Sequence, residues 1–329
     1  MHWLIQLNNF LQSRSIHKNP FFIRWPIKLG LLLVVVPLDI IGITLTSLGL
    51  LNRICFGGSV KDRGSWTSMQ VTMQRFIGYV YGYCDDHLAV QLLSKTQLII
   101  GLSIILKSII YENVHVHQFV VERCNFGDQM IKELDSSFEQ IVILGAGNDT
   151  RLHRLDHLPP YLFEIDAPST QHYKLSKLKN PNPNVRFIPV NFELESWLEK
   201  LILCGFNCSR KTLFIWDGVL YYLTVPSYRS TLRDISKCAK GSKLAFDFGY
   251  TDNDRFIARV GVMVLKSIGE PFVSAFNQQQ ITKLLKEYNF NVEFFTNNTA
   301  TKRDSSSVPR ISYLAHGGIN LNLACAVLV

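Results

Sequence analysis

Two hydrophobic rhythms divide the chain. Upstream of about residue 135, apolar positions come in long runs or at helical spacing; downstream they come in short blocks separated by polar segments. The blocks are Ile141–Leu144, Tyr161–Ile165, Val185–Val190, Thr212–Trp216, Lys243–Phe248, Val292–Phe295 and Ile311–Leu314. Helical or polar segments separate the first five. This alternation predicts a mostly parallel sheet with helices on both faces and ligands at the carboxyl ends of its strands. A polar loop, Thr296 to Arg310, separates the last two, which predict a closing antiparallel hairpin.

The upstream part reads differently. Ser65 to Leu93 and Val114 to Leu134 have helical character, and Gln97–Tyr111 is an apolar run broken by Lys107. That run is too short for a confident membrane span and predicts a helix packed over the domain or dipping into a membrane surface. Leu29–Leu51 is longer, 23 residues with Asp39 as its single charge. As a helix it would reach about 34 Å, enough to cross a hydrocarbon core of roughly 30 Å. Pro37 and three glycines leave a re-entrant hairpin or a monotopic anchor open beside a spanning helix, and a buried helix of the globular domain is the plain structural alternative. Basic residues flank both ends, Arg24 and Lys28 before, Arg53, Lys61 and Arg63 after, so flanking charge does not set an orientation. Gly57, Gly58, Asp62, Arg63 and Gly64 form a polar break. The expected organisation is an N-terminal extension, 1–64, carrying the apolar segment 29–51, and a catalytic domain, 65–329.

Composition sharpens this reading. The hydrophobic fraction is 47% against 18% charged residues, and mean hydropathy is positive, which suits a chain with a membrane-seated part. A net charge of +8 fits an anionic membrane face or an acidic substrate; without an arginine-rich run or an RNA-binding signature, nucleic acid is not expected. The seven cysteines are scattered and lack paired metal spacing, so they read as free thiols in a reducing compartment, with no metal site.

The chemistry concentrates between Gln140 and Asp166. An apolar block ends in the turn Gly145-Ala146-Gly147, and a second block closes on Asp166. Glycines let the backbone turn sharply and approach a ligand, and a carboxylate at the tip of the second strand suits ribose hydroxyls. A dinucleotide site would want a third glycine where Thr150 stands, so a nicotinamide cofactor is disfavoured and a ligand without phosphates, such as S-adenosylmethionine, fits better.

Residues of about 68 to 317 resemble the leucine carboxyl methyltransferase-like family of S-adenosylmethionine-dependent O-methyltransferases. Five ordered blocks carry the resemblance. They are Asp85-Asp86-His87-Leu88-Ala89; Arg123 with Asp128; Leu144 to Arg151 with Arg154-Leu155; Phe163 to Pro168 with Lys174; and Phe214 to Leu223. The resemblance implies a class I methyltransferase Rossmann-like sheet and S-adenosyl-L-methionine as cofactor. It also implies roles: Arg123 for the methionine carboxylate, Gly145, Ala146 and Gly147 for close backbone approach, Asp149 for the ligand or for the next helix, and Asp166 for the ribose. Asn191, where the family has aspartate, and Phe192 would meet adenine. Asp217, where the family has glutamate, would meet the amino end. Glu164 alternates with Asp166 and is expected on the other face.

Methyl transfer is an in-line displacement, so positioning dominates; a carboxylate acceptor needs no general base and a hydroxyl acceptor does. Tyr222 and Asp247 are the acceptor-side candidates, with His172, Tyr221 and Tyr250 near strand ends. The expected activity is O-methylation of a carboxyl or hydroxyl group. The acceptor would be a small molecule, a lipid-like molecule or a protein C-terminal carboxylate, reached by a membrane-associated enzyme whose catalytic domain faces the cytosol. The departures at Asn191 and Asp217 motivate the alternative of a non-catalytic membrane-attached protein that retains the fold.

Overall fold

A computed structural model of the protein describes residues 21–56, 65–111, 116–192, 194–251, 263, 265–267, 269–296 and 319–329. Its centre is a seven-stranded sheet. The strands are Gln140–Leu144 (β1), Tyr161–Asp166 (β2), Val185–Pro189 (β3), Thr212–Trp216 (β4), Lys243–Thr251 (β5), Phe290–Thr296 (β6) and Ile319–Leu328 (β7). Their order is β3-β2-β1-β4-β5-β7-β6. The first five run parallel, and β7 lies antiparallel between β5 and β6. This is the class I methyltransferase arrangement expected from the sequence.

The apolar blocks are continuous because both faces of the sheet are covered. From β1, Val142 and Leu144 enter one core, shared with Trp197 of the helix Trp197–Leu203, Leu232 of Val225–Ile235 and Leu284 of Gln278–Lys286. Ile141 and Ile143 enter the opposite core, against Phe119, Phe126 and Met130 of the helix Gln118–Lys132. Phe163, Phe214, Phe246 and Phe248 are fully buried, each contributing roughly 1.5–3 kcal/mol.

The expected closing strand at Ile311–Leu314 falls outside the described residues, as does the break from Gly57 to Gly64. The strand that pairs with β6 is Ile319–Leu328, in which Asn320 and Asn322 alternate with Ile319, Leu321 and Leu323. A polar-apolar alternation at one end and a small-residue run at the other hid it from a search for solid apolar blocks.

Ahead of the sheet stand Phe21–Phe56 (α1), Trp66–Val80 (α2), Lys95–Tyr111 (α3) and Gln118–Lys132 (α4). Within α1, the stretch Leu29–Gly49 has a mean hydropathy of 2.3 and is long and apolar enough to cross a membrane. One side of it packs on α3 through Val35, Leu106 and Ile110. The other side of α3 meets α2, where Gly101 approaches Phe76 and Met73. The apolar run at Gln97–Tyr111 is therefore a helix sandwiched between two others.

Candidate cofactor-binding site

A cavity of about 580 Å³ opens where β1 to β4 end. Gly145 and Gly147 follow β1 with φ of 68° and 48°, backbone that side chains rarely adopt. Space forbids a side chain as well: a Cβ at Gly145 would stand 2.3 Å from Val219 Cγ2. Over this turn lies the start of α2. Ser68 Oγ accepts from Asn148 N at 3.2 Å, Asn148 Nδ2 donates to Thr72 Oγ1 at 3.0 Å, and Arg75 Nη2 donates to Asn148 O at 2.7 Å. Glu270 holds the first turn of α2 in place. Its carboxylate accepts from Trp66 N at 2.6 Å, from Thr67 N at 3.0 Å and from the Thr67 hydroxyl. A carboxylate there also meets the positive end of the helix dipole.

Acidic side chains from separate elements converge on one guanidinium. Arg151 Nη1 lies 2.6 Å from Asp149 and 2.8 Å from Asp217, its Nε lies 3.3 Å from Asp128, and its Nη2 donates to Arg123 O at 3.0 Å. Gly127 makes the room, since a Cβ there would stand 2.5 Å from Arg151 Cζ. Burial works upward on Asp149, but Arg151, Arg75 and Lys174 hold its pKa well below the ordinary carboxylate range. For Asp217 burial wins: it pushes the carboxyl up to about 6 against the pull of Arg151 and Arg123. Both Asp217 oxygens are buried without a hydrogen bond to the described residues, although the charge contact to Arg151 is close.

Asp166 stands at the tip of β2. Its Oδ2 accepts from Gly147 N and its Oδ1 from Ala167 N at 2.6 Å, and burial pushes its pKa up to about 6. Glu164, two residues earlier, faces away from the cavity, locked between Lys174 Nζ at 2.6 Å and His153 Nε2 at 3.1 Å.

The residues expected to meet the cofactor, Arg123, Gly145, Ala146, Gly147, Asp149, Asp166, Asn191, Phe192 and Asp217, all line the cavity, and so does Tyr222. Asp149 also caps the helical turn Arg151–Arg154 by accepting from Arg151 N at 2.8 Å. Asp247 is placed differently. It is fully buried, and its oxygens accept from Arg123 Nη1 at 2.8 Å, Gly218 N at 2.6 Å and the Tyr221 hydroxyl at 3.0 Å. Asp247 thus fixes Arg123 and the cavity-lining Tyr221 from behind the cavity wall, and His172 is exposed. Sequence reasoning gave no role to Arg151, although it closes the quoted block Leu144 to Arg151, and did not name Glu270, which no local pattern marks.

The family model described as leucine carboxyl methyltransferase matches residues 69–236, just over half of the chain. The chain belongs to the leucine carboxyl methyltransferase family. A protein of Bacillus subtilis (strain 168), named for the S-adenosyl-L-methionine-dependent methyltransferase class, is 37% identical over 168 residues, 47% of this chain and 54% of its own length. A protein of Frankia alni, named for the same class, is 30% identical over 137 residues, 40% of this chain and 48% of its own. The chain thus spans about half the length of the curated relatives it matches. A solved methyltransferase structure from Anabaena variabilis is 12% identical, covering 64% of this chain and 85% of that one, with a TM-score of 0.46.

S-adenosyl-L-methionine is the cofactor in the names of these relatives, and the cavity suits that molecule on its own chemistry. A zwitterionic end asks for a cation and an anion close together, which the lining residues Arg123 and Asp217 provide. A ribose asks for an acceptor at a strand tip, where Asp166 stands. No cluster suited to a metal ion occurs among the described residues.

Proposed function

We propose that the protein is an S-adenosyl-L-methionine-dependent O-methyltransferase held at a membrane by α1, with residues 65–329 as its catalytic domain on the cytosolic side. The observation that carries this reading is Asp217, which lines the cavity with Arg123 and whose two buried oxygens have a charge contact to Arg151 but no hydrogen bond among the described residues. A buried carboxylate in that state is costly unless a ligand completes it, and an ammonium group does so. In this reading Arg123 pairs with the donor's carboxylate, Asp217 with its ammonium, Asp166 with the ribose, and Asn191 and Phe192 with adenine. The donor supplies an electrophilic methyl group on a sulfonium centre, and the chain's task is alignment.

On the acceptor side Tyr222 is the group at the cavity wall. Burial pushes its phenol well above the ordinary value, with only partial relief from the Thr67 hydroxyl, so it stays protonated and donates. A proton donor that is no base suits a carboxylate acceptor over an alcohol. Attachment at a bilayer favours an apolar or lipid-like carboxylate, and a protein C-terminal carboxylate has the same chemistry.

Calorimetry of the full chain with S-adenosyl-L-methionine tests the site. Saturable binding is expected, weakened about 10–100-fold in D217A through the loss of one charge-assisted bond. Radiolabelled donor then tests the activity. Label appearing in base-labile esters of a carboxylate panel is the expected result, while binding without transfer to any acceptor would support the non-catalytic alternative.

A further inference from the structure

The helix α1 is built inside out. Its positions that face α3, among them Leu31, Val35, Leu38, Asp39 and Gly42, include the one charge between Leu29 and Leu51 and a glycine so close that a Cβ would stand 2.9 Å from Ile100 Cγ1. Asp39 lies 2.8 Å from Lys107 Nζ and accepts from the Ser103 hydroxyl, both on α3. Thr46 hides its hydroxyl on Gly42 O at 2.8 Å. The opposite side carries no charge between Leu29 and Leu51. Ten large aliphatic side chains there are more than 40% exposed, Leu33 at 74%, Ile43 at 66% and Ile40 at 61% among them. They cover roughly 200° of the helix at 100° per residue. A water-facing helix reverses this pattern, putting charges outside and aliphatic groups inside. A paired charge and a close-packed glycine placed between helices, with aliphatic groups outside, is the pattern of helices packed in hydrocarbon.

We propose that α1 and α3 form one membrane-seated two-helix unit, in which the exposed arc of α1 contacts lipid and the Asp39–Ser103–Lys107 cluster pins the helices together away from it. This rests on the membrane attachment proposed above and adds to it a face, a second helix and a rigid connection. The occupant of the arc is bilayer hydrocarbon. The 21-residue stretch Leu29–Gly49 spans about 32 Å as a helix, close to the thickness of that layer. An aspartate alone at that depth would be expensive, and α3 supplies its partners. The unit also reaches the cavity through packed helices, since α3 contacts α2 and the first turn of α2, held by Glu270, lines the cavity wall. The cavity is thereby held at a set distance from the bilayer.

Flotation of the full chain with phosphatidylcholine–phosphatidylglycerol vesicles tests this. The unsubstituted chain is expected in the floating fraction. L33E/I40E/I43E is expected to stay at the bottom with its S-adenosyl-L-methionine affinity unchanged within twofold, and L33S/I40S/I43S to show a smaller loss. K107M is expected to lower the floating fraction several-fold, and D39L/K107M to restore it. If the unsubstituted chain fails to float, the attachment reading itself falls. If it floats and the glutamate variant floats equally, attachment stands and the lipid face is misassigned. A K107M that floats fully overturns the pin. A discrete dimer by light scattering that the glutamate variant converts to monomer, with no flotation, assigns the arc to a second copy instead.

Discussion

The cavity wall and the α1–α3 contact both bring charged side chains together between packed elements, and they finish their bonding differently. Between the helices one carboxylate meets one ammonium and one hydroxyl, and the account closes. Around the cavity three carboxylates share Arg151, and both Asp217 oxygens lack a hydrogen bond among the described residues. The pair Glu164–Lys174, on the far side of the same strand as Asp166, is closed like the helix contact. A closed cluster holds elements together, and an unfinished one on the cavity wall can take a ligand. Unfinished hydrogen bonding alone does not separate the two cases, since Asp86 Oδ2 beside Arg75 has the same standing away from the cavity wall; position on that wall does.

The largest effect should come from removing the hub. R151M leaves Asp128, Asp149 and Asp217 without their common cation, and a loss of about 3–5 kcal/mol is expected in urea unfolding. D217A should cost almost nothing in the same measurement, because it removes a carboxylate that burial already disfavours, while weakening cofactor binding. Equal stability losses in the two variants would erase the distinction between closed and open clusters.

A pH series comes next in size. Burial raises the carboxyls of Asp166 and Asp217 to about 6, above the ordinary value of about 3.9, so the folded protein holds these protons more tightly than the unfolded chain. Their contribution to stability is therefore complete below about pH 4 and is lost as pH rises through 6. Asp149, held low, acts in the opposite sense, contributing above the ordinary value and losing that contribution only in strong acid. Cofactor affinity should run against the first trend, rising by up to about tenfold per unit toward pH 6 as each carboxylate forms. Thermal unfolding and calorimetry between pH 4.5 and 7.5 check both, and D217A should flatten each curve. The smallest effect is expected from N191D, which restores charge assistance toward an adenine amino group. A gain of a few-fold in affinity, without change in stability, would place Asn191 among the open groups.

The sheet was largely legible because burial on both faces forces unbroken apolar blocks: β1 and β4 begin within a residue of the expected positions and end on them. β7 was not, since small residues such as Ala324 and Ala326 carry little hydrophobic signal yet fill the space between two strands. The glycine turn and Asp166 could be read from spacing along one chain segment. Arg151 could not be assigned its partners, because Asp128, Asp149 and Asp217 come together only when α4, the turn after β1 and the end of β4 are folded side by side. Asp247 shows the same limit. Its place at the end of a strand suggested contact with an acceptor, and only the fold reveals Arg123 and Tyr221 between it and the cavity.

The position of β7 has a consequence for the order of assembly. It lies later in the chain than both neighbours, so while the polypeptide is being synthesised, at about 5–20 residues per second, β5 and β6 emerge without the strand that joins them. The outer edge of β5, with Phe246 and Phe248 on it, stays open for that interval, and an open apolar edge invites pairing with other chains. Completion of the sheet, and with it the setting of Asp247 behind Arg123, is then a late event that depends on the last strand arriving in register.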